Sequence, residues 1–411
     1  MIRATPLAVA FLILANCRAN DSKDSASTTV DSAGVRITTI NASPSALDEW
    51  ALAPATDLTL TGAETGDSAA FAYVGASRWL SDGRIVVVDA EARRLLLFDD
   101  KGRLVKTLGR RGAGPGEFRN VSSVTVLPGD SLLTFDRSLR RLTVWHPESG
   151  YVRGMPVGGT SLESWPEDAW LWQRGNVVVL QLSITPQDSI PPGAGGVRRW
   201  PMRARLTLLD TSGRALGSSP QFDGMYTGIY ERGDTRLPFS NRPFAAVGRD
   251  RIYFGSGATF ALAYLNSEFA AVGELRWPAQ REDLSQAEVA AVKAEAVALA
   301  GTRVPPDQLV RPFEINFAAQ ILPRERPAIG RVFVDHNDRL WVERFEATRL
   351  GSSLQKAGDR WTVLNRDGAP VARLRLPSAT RLEDVRGTRA LLVVRDSLDV
   401  QTVVVREIRK Q

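Results

Sequence analysis

The feature that most constrains how this chain can fold is an internal repeat. Displacing the sequence by 47 residues lays Val88-Asp89 on Phe135-Asp136, Arg93-Arg94-Leu95 on Arg140-Arg141-Leu142, and Phe98 on Trp145. The segment Asp99-Asp100-Lys101-Gly102 then falls on His146-Pro147-Glu148-Ser149. Around these matches the apolar residues come in short runs: Ile85–Val88, Leu95–Phe98 and Leu104–Leu108, then Val121–Leu127, Leu132–Phe135 and Leu142–Trp145. Runs of this length, bounded by Gly, Asp and Pro, predict antiparallel strands joined by tight turns. A unit of about 40–50 residues holding four such strands exposes both faces, so it must stack with copies of itself around an axis to enclose a core.

Looser copies follow. Leu206–Asp210 with Thr211-Ser212-Gly213 repeats the ending of a unit, Ile252–Phe254 with Ala261–Asn266 forms another, and Val332–Val334, Leu340–Val342 and Trp361–Asn365 a further one. Leu391–Val394 and Val400–Val405 read as two closing strands that lack partners, and the early strands Val35–Ile40 and Leu58–Leu60 are expected to complete their sheet. The expected fold is therefore all-β, a six-bladed β-propeller of four-stranded antiparallel blades over residues 35–411, with one helical insertion at about 277–327.

Composition narrows the chemistry. The chain has 411 residues, one cysteine and two histidines. No intrachain disulfide, cysteine-rich zinc site or three-histidine metal centre can be built from these. Lys and Arg together number 52 against 46 Asp and Glu, a net charge of +6, and all but six of the cations are arginine. They stand beside acids, as in Asp136-Arg137, Arg249-Asp250 and Arg366-Asp367. Nucleic-acid binding needs clustered basic residues, so interspersed charge of this kind argues for a solvated surface instead.

The first residues read as an export signal. Met1-Ile2-Arg3 is positively charged, and Leu7–Ala15 is an unbroken apolar run, too short to span a bilayer and of the length of a signal-peptide core. The sole cysteine ends the segment Leu14-Ala15-Asn16-Cys17, which resembles the lipobox of bacterial lipoproteins. Leu14 and Ala15 match that pattern and Asn16 departs from it. The resemblance implies lipidation of Cys17 after cleavage, with residues 1–17 as signal and 18–34, small and polar, as a flexible tether.

A more specific pattern lies at Gly112-Ala113-Gly114-Pro115-Gly116-Glu117-Phe118. It resembles the Gly-Pro-Gly-Glu-Phe connection of NHL-type propellers, which joins the outer strand of one blade to the inner strand of the next. With the repeat around it, the chain is similar to six-bladed propeller lipoproteins of exported bacterial families. A nucleotide loop would need a strand–loop–helix setting, which is absent here, so the glycines are expected to serve the turn and Phe118 to pack between blades.

Candidates for chemistry are few. Asp89 and Asp136 occupy the same place in consecutive units, and Glu343 after Leu340–Val342 is a candidate third member. Carboxylates repeated at one end of a propeller could hold calcium through hard oxygen ligands, but Ile252–Phe254 is followed by Gly255, which breaks the series. Turn capping through backbone N–H groups is the expectation for each Asp. His336, within Asp335-His336-Asn337-Asp338, and His146 are likewise read as turn residues, and no Gly-x-Ser-x-Gly elbow supports a serine triad.

Two segments interrupt the repeat. Ser285–Gly301 carries a capping box of Ser285 and Glu288 and an apolar stripe through Val289, Val292, Ala296 and Leu299, so it is expected to be helical. Pro186–Trp200 is rich in Pro and Gly, and Trp165, Trp170, Trp172 and Trp200 lie close to it as blade core or as a binding surface. Together these readings give an exported, lipid-anchored, monomeric propeller at the periplasmic or cell surface that binds a protein or small molecule without catalysis. If unlipidated, it would be a soluble secreted protein. No cofactor and no nucleic acid are expected. The alternative is a lactonase-like, metal-dependent hydrolase or lyase with calcium in the central channel.

Overall fold

The computed structural model describes residues 27–41, 47–61, 71–157, 164–183, 198–230, 233–277, 282–301, 317–318, 321–346, 360–398 and 400–411. Six antiparallel blades follow one another. Blade 1 is Val74–Trp79, Ile85–Asp89, Arg94–Phe98 and Leu104–Leu108, and blade 2 is Val121–Val126, Leu132–Asp136, Arg141–His146 and Gly150–Pro156. Blade 3 is Ser164–Leu171, Val177–Ser183 and the long strand Arg198–Leu209, whose outer edge is shared by Ala215–Ser218 and Phe222–Tyr230. Blade 4 is Phe244–Val247, Ile252–Gly255, Ala261–Leu265 and Ala271–Arg276, and blade 5 is Ile329–Val334, Leu340–Arg344, Arg360–Leu364 and Pro370–Arg375. Blade 6 takes Thr380–Arg386, Arg389–Arg395 and Gln401–Lys410 from the end of the chain and its fourth strand, Leu58–Thr59, from the beginning.

The repeat extends to backbone conformation. Arg93 and Arg140, superposed by the 47-residue displacement, both adopt left-handed angles, with φ of 59° and 47°. Turn sequence and apolar pattern thus specify the same hairpin twice.

The core is a ring of apolar layers between blades. Leu97, Leu108, Phe118, Val124 and Trp145 fill the junction of blades 1 and 2, and Val178, Leu206, Phe254 and Leu265 that of blades 3 and 4. Equivalent layers lie between blades 2 and 3, 4 and 5, 5 and 6, and 6 and 1. Strands buried on both faces explain the continuous apolar runs of Ile85–Asp89 and Leu132–Asp136, where every residue is buried.

The closing seam is further held by polar bonds across more than 300 residues of sequence. Gln401 Oε1 accepts from the Val74 N–H (2.6 Å), Glu383 from the Ser77 N–H (3.1 Å), and the Arg386 guanidinium donates to the Leu80 and Ser81 carbonyls (2.9 and 2.7 Å). A ring closed by its termini has no exposed sheet edge at the seam.

Two expectations about the N-terminal region need correction. Leu58–Thr59 does complete blade 6, but Val35–Ile40 instead pairs in parallel with Ala271–Arg276 on the edge of blade 4. Residues Ser27–Ser32, read from the sequence as tether, form a hairpin with Val35–Ile40 through Ala33 and Gly34, whose φ values are 53° and 81°. This hairpin gains main-chain bonds with little burial, so apolar periodicity could not reveal it. A further strand, Asp48–Leu52, runs parallel to the outer strand of blade 5 and antiparallel to the last strand of blade 6. Residues 1–26, including Cys17, lie outside the described residues, and no described helix is long and apolar enough to cross a membrane.

The helix Gln286–Gly301 is present, and Ser285 Oγ accepts the Glu288 N–H at 3.1 Å. The Glu288 carboxylate pairs with Arg326 at 2.6 Å. Val292 and Ala296 are buried against Phe239, Phe317 and Phe345. The helix therefore packs where the inner strands of blades 4 and 5 begin.

Candidate functional site

Strand direction decides which end of the ring is elaborated. Inner strands all start at one end, and alternate antiparallel strands return the chain there between the second and third strands and after the fourth. The segment between Val177–Ser183 and Arg198–Leu209 of blade 3 and the helical insertion between blades 4 and 5 therefore leave from the same end. The central channel is a cavity of about 460 Å³ lined by the inner strands of all six blades.

The channel wall is charged, and β-bulges place three of its charged side chains. Register shifts interrupt the inner strands between Val74 and Ala76 in blade 1, Val121 and Ser123 in blade 2, Pro166 and Asp168 in blade 3, Ile329 and Val332 in blade 5, and Leu382 and Asp384 in blade 6. A bulge inserts a residue and re-aims its side chain. The residues so placed include Glu167, Arg331 and Glu383, all lining the channel. Blade 4 lacks a shift, and its inner strand presents Phe244–Val247, an apolar sector of the wall.

Blades 3 and 6 stand opposite each other in a six-membered ring, and each contributes a Glu-Asp pair, Glu167-Asp168 and Glu383-Asp384. Each glutamate meets an arginine of the preceding blade. Arg137 of blade 2 pairs with Glu167 at 2.8 Å, and Arg331 of blade 5 with Glu383 at 3.6 Å. Arg381 adds a second ion pair to Glu383 at 2.6 Å and donates to the Val74 carbonyl at 2.6 Å. Opposed blades thus give the channel an approximate two-fold arrangement of Arg, Glu and Asp.

The two aspartates differ. Burial pushes the Asp168 carboxyl above the usual carboxylate range, against hydrogen bonds from Ser123 and the Ala169 N–H and the charge of Arg137. Asp384 accepts from the Trp79 N–H and the Val385 N–H (3.4 and 2.9 Å) and lies 3.2 Å from His336 Nε2. The hydrogen bond that the protonated imidazole donates to Asp384 raises His336 above its ordinary value.

The carboxylates singled out from sequence lie elsewhere. Asp89 accepts the Tyr73 and Ala92 N–H groups (3.2 and 3.4 Å) and pairs with Arg94 at 3.2 Å. Asp136 accepts the N–H groups of Arg119, Asn120 and Leu139 (2.7, 3.0 and 2.8 Å). Both are buried at corresponding positions, and neither lines the channel. Glu343 is out of step with them. Leu340 pairs with Leu364 as Ile85 pairs with Phe98 and Leu132 with Trp145, so the counterpart of Asp89 and Asp136 is Arg344. A one-residue displacement turns Glu343 to the opposite face of its blade. The three carboxylates are not brought together, and among the described residues no three of His, Cys, Asp and Glu are grouped to hold a metal ion.

The remaining candidates are divided. Asp335 caps its hairpin through the Asn337 and Arg339 N–H groups (both 2.9 Å) and accepts from Trp341 Nε1 (2.8 Å). His146 Nδ1 accepts the Glu148 N–H at 3.1 Å in an exposed turn. Of the tryptophans, Trp172 is core, Trp170 lines the channel, and Trp165 lies beneath the Arg140 guanidinium.

Comparison with known proteins accords with this architecture. Residues 51–151 match the DUF5128 family, described as a 6-bladed beta-propeller. Among solved structures, a Bacteroides vulgatus member of the DUF4221 family has a TM-score of 0.54 at 10% identity, with 89% of this chain and 100% of that one covered. A Bacteroides fragilis protein described as exported gives 0.47 at 10% identity, covering 88% and 98%. A Xanthomonas campestris gluconolactonase gives 0.40 at 12%, again covering 88% and 98%. At these identities the likeness concerns the fold alone. No curated protein matches the chain.

Proposed function

We propose that this six-bladed β-propeller is a non-catalytic binding module, exported and held at the cell envelope through a lipid on Cys17, whose ligand enters the channel from the elaborated end. One observation carries the reading. All four channel carboxylates, Glu167, Asp168, Glu383 and Asp384, already accept hydrogen bonds or ion pairs from the protein itself. A wall fixed in this way offers preorganised donors and acceptors at little cost in side-chain entropy on binding, which suits recognition. A propeller lactonase or lyase instead requires carboxylates converging on a metal.

The purified mature chain tests both halves. Calcium should leave its melting temperature unchanged, and δ-gluconolactone should hydrolyse no faster with the protein and calcium than without them. A calcium-dependent rise in melting temperature together with accelerated hydrolysis would establish the metal enzyme instead. Fractionation of cells carrying Cys17→Ser should move the protein from membrane to soluble fraction, and an unchanged distribution would refute lipid anchoring.

A further inference from the structure

Blade 1 faces blade 4 across the channel of a six-membered ring, and the two carry different kinds of wall. Blade 4 presents the inner strand Phe244–Val247, preceded by Arg242. The blades on either side of it extend this apolar sector with Trp170 and Phe333, both lining the channel and only partly buried. Blade 1 presents Arg78, also partly buried.

Arg78 differs from Arg137, Arg331 and Arg381 in having no carboxylate. Arg137 is paired with Glu167, and Arg331 and Arg381 share Glu383. Asp384 is held by the Trp79 and Val385 N–H groups and His336, and Asp168 by Ser123 and the Ala169 N–H. The channel acids are thus committed to other donors. Arg78 Nη1 donates to the Ser77 and Glu383 carbonyls at 2.7 and 2.9 Å, while among the described residues Nε and Nη2 have neither a hydrogen bond nor an ion pair. Two carbonyls fix the guanidinium in place and leave its charge unbalanced, and a partly buried charge is normally paired.

We propose that the ligand of the channel is a singly charged organic anion, a carboxylate carried on an apolar body, whose two oxygens are received by Nε and Nη2 of Arg78. The proposal rests on the reading of the channel as the binding site and names the class of ligand. The Nε–H and one Nη2–H lie side by side in the guanidinium plane and match the two oxygens of a carboxylate. Because Nη1 is already anchored, this fork is held in place before the ligand arrives. The body lies across the channel against Trp170, Phe244 and Phe333, in a cavity of a size that suits a small molecule. A second negative charge is disfavoured, since Glu383 and Asp384 line the channel on the neighbouring blade.

The test uses the full mature chain with 4-phenylbutyrate, its neutral amide 4-phenylbutyramide, acetate and 3-phenylpropyl phosphate. Each is measured by calorimetry and thermal melting against sodium chloride of equal ionic strength. 4-Phenylbutyrate should bind and raise the melting temperature, the amide and acetate should each bind at least tenfold more weakly, and the phosphate should bind more weakly than the carboxylate. Arg78→Gln should weaken 4-phenylbutyrate at least tenfold. Arg78→Lys keeps the charge and a donor for the carbonyls but lacks the fork, so it should weaken binding at least threefold and reads the same contact if the Gln variant does not fold. No binding of 4-phenylbutyrate beyond the salt control would overturn the proposal. Equal binding of acid and amide, tighter binding of the phosphate, or equal binding by wild type and folded Arg78 variants would overturn it too, while leaving the protein a binding module. Calcium-dependent hydrolysis of δ-gluconolactone would instead overturn the reading on which the proposal rests.

Discussion

The junction of blades 1 and 2 and that of blades 4 and 5 solve the same packing problem differently. At the first, a short connection closes the gap. Glu117 accepts the Gly114 N–H at 2.8 Å and pairs with Arg110 at 2.9 Å, which fixes the turn. Gly112 there has a φ of 156°, and a side chain on it would collide with the Glu117 carboxylate. Phe118 is then delivered, fully buried, against Trp145 at 5.1 Å between ring centres. At the second, the helical insertion replaces the short connection, and at the elaborated end the blades part to leave an arginine-lined cleft. Continuous apolar packing stabilises the ring, whereas its interruption leaves charged and aromatic side chains at the surface.

The largest effect should come from breaking the tight junction. Phe118→Ala removes a buried ring and leaves a cavity, and it should cost about 3–5 kcal/mol in chemical denaturation. Next is Asp136→Ala in blade 2, which orphans three backbone N–H groups and should cost about 1–3 kcal/mol. At the open junction Trp277→Ala should cost less than Phe118→Ala, roughly 1–2 kcal/mol, because Trp277 is only partly buried. Equal losses at Phe118 and Trp277 would erase the distinction between the junctions.

The smallest effect lies in the channel that both junctions border, and its sign depends on pH. Burial raises the Asp168 carboxyl in the folded protein. The group therefore adds stability when protonated, below its unfolded value of about 3.9, and loses that contribution as pH rises through its folded value. At pH 7 the charged form is a burden, so Asp168→Asn should melt above the wild type there, with the difference shrinking toward pH 4. Melting curves across that range check it.

How much of this was legible in the sequence follows from where each residue's constraint originates. The 47-residue displacement located blades 1 and 2 because their turns use the same residues, Arg93 and Arg140 in the left-handed region and Asp89 and Asp136 as caps. The arginine excess, which composition left unexplained, is in part a turn device. Arg103, Arg214 and Arg339 each reach back four residues to Asp99, Asp210 and Asp335, the aspartates that cap the hairpins. Glu343 was read as a partner of Asp89 because a strand's register cannot be counted across an unmatched unit. The channel charges were missed altogether, since a bulge leaves no periodic trace. The one available signal was the Glu-Asp dipeptide that recurs at 167–168 and 383–384 within two inner strands.

Hydrogen exchange of the full chain tests the contrast between the junctions most directly. Amides of 121–126, at the junction of blades 1 and 2, should exchange more slowly than those of 271–276 and 340–344, at the junction of blades 4 and 5. Equal protection at the two junctions, or greater protection at that of blades 4 and 5, would contradict the account.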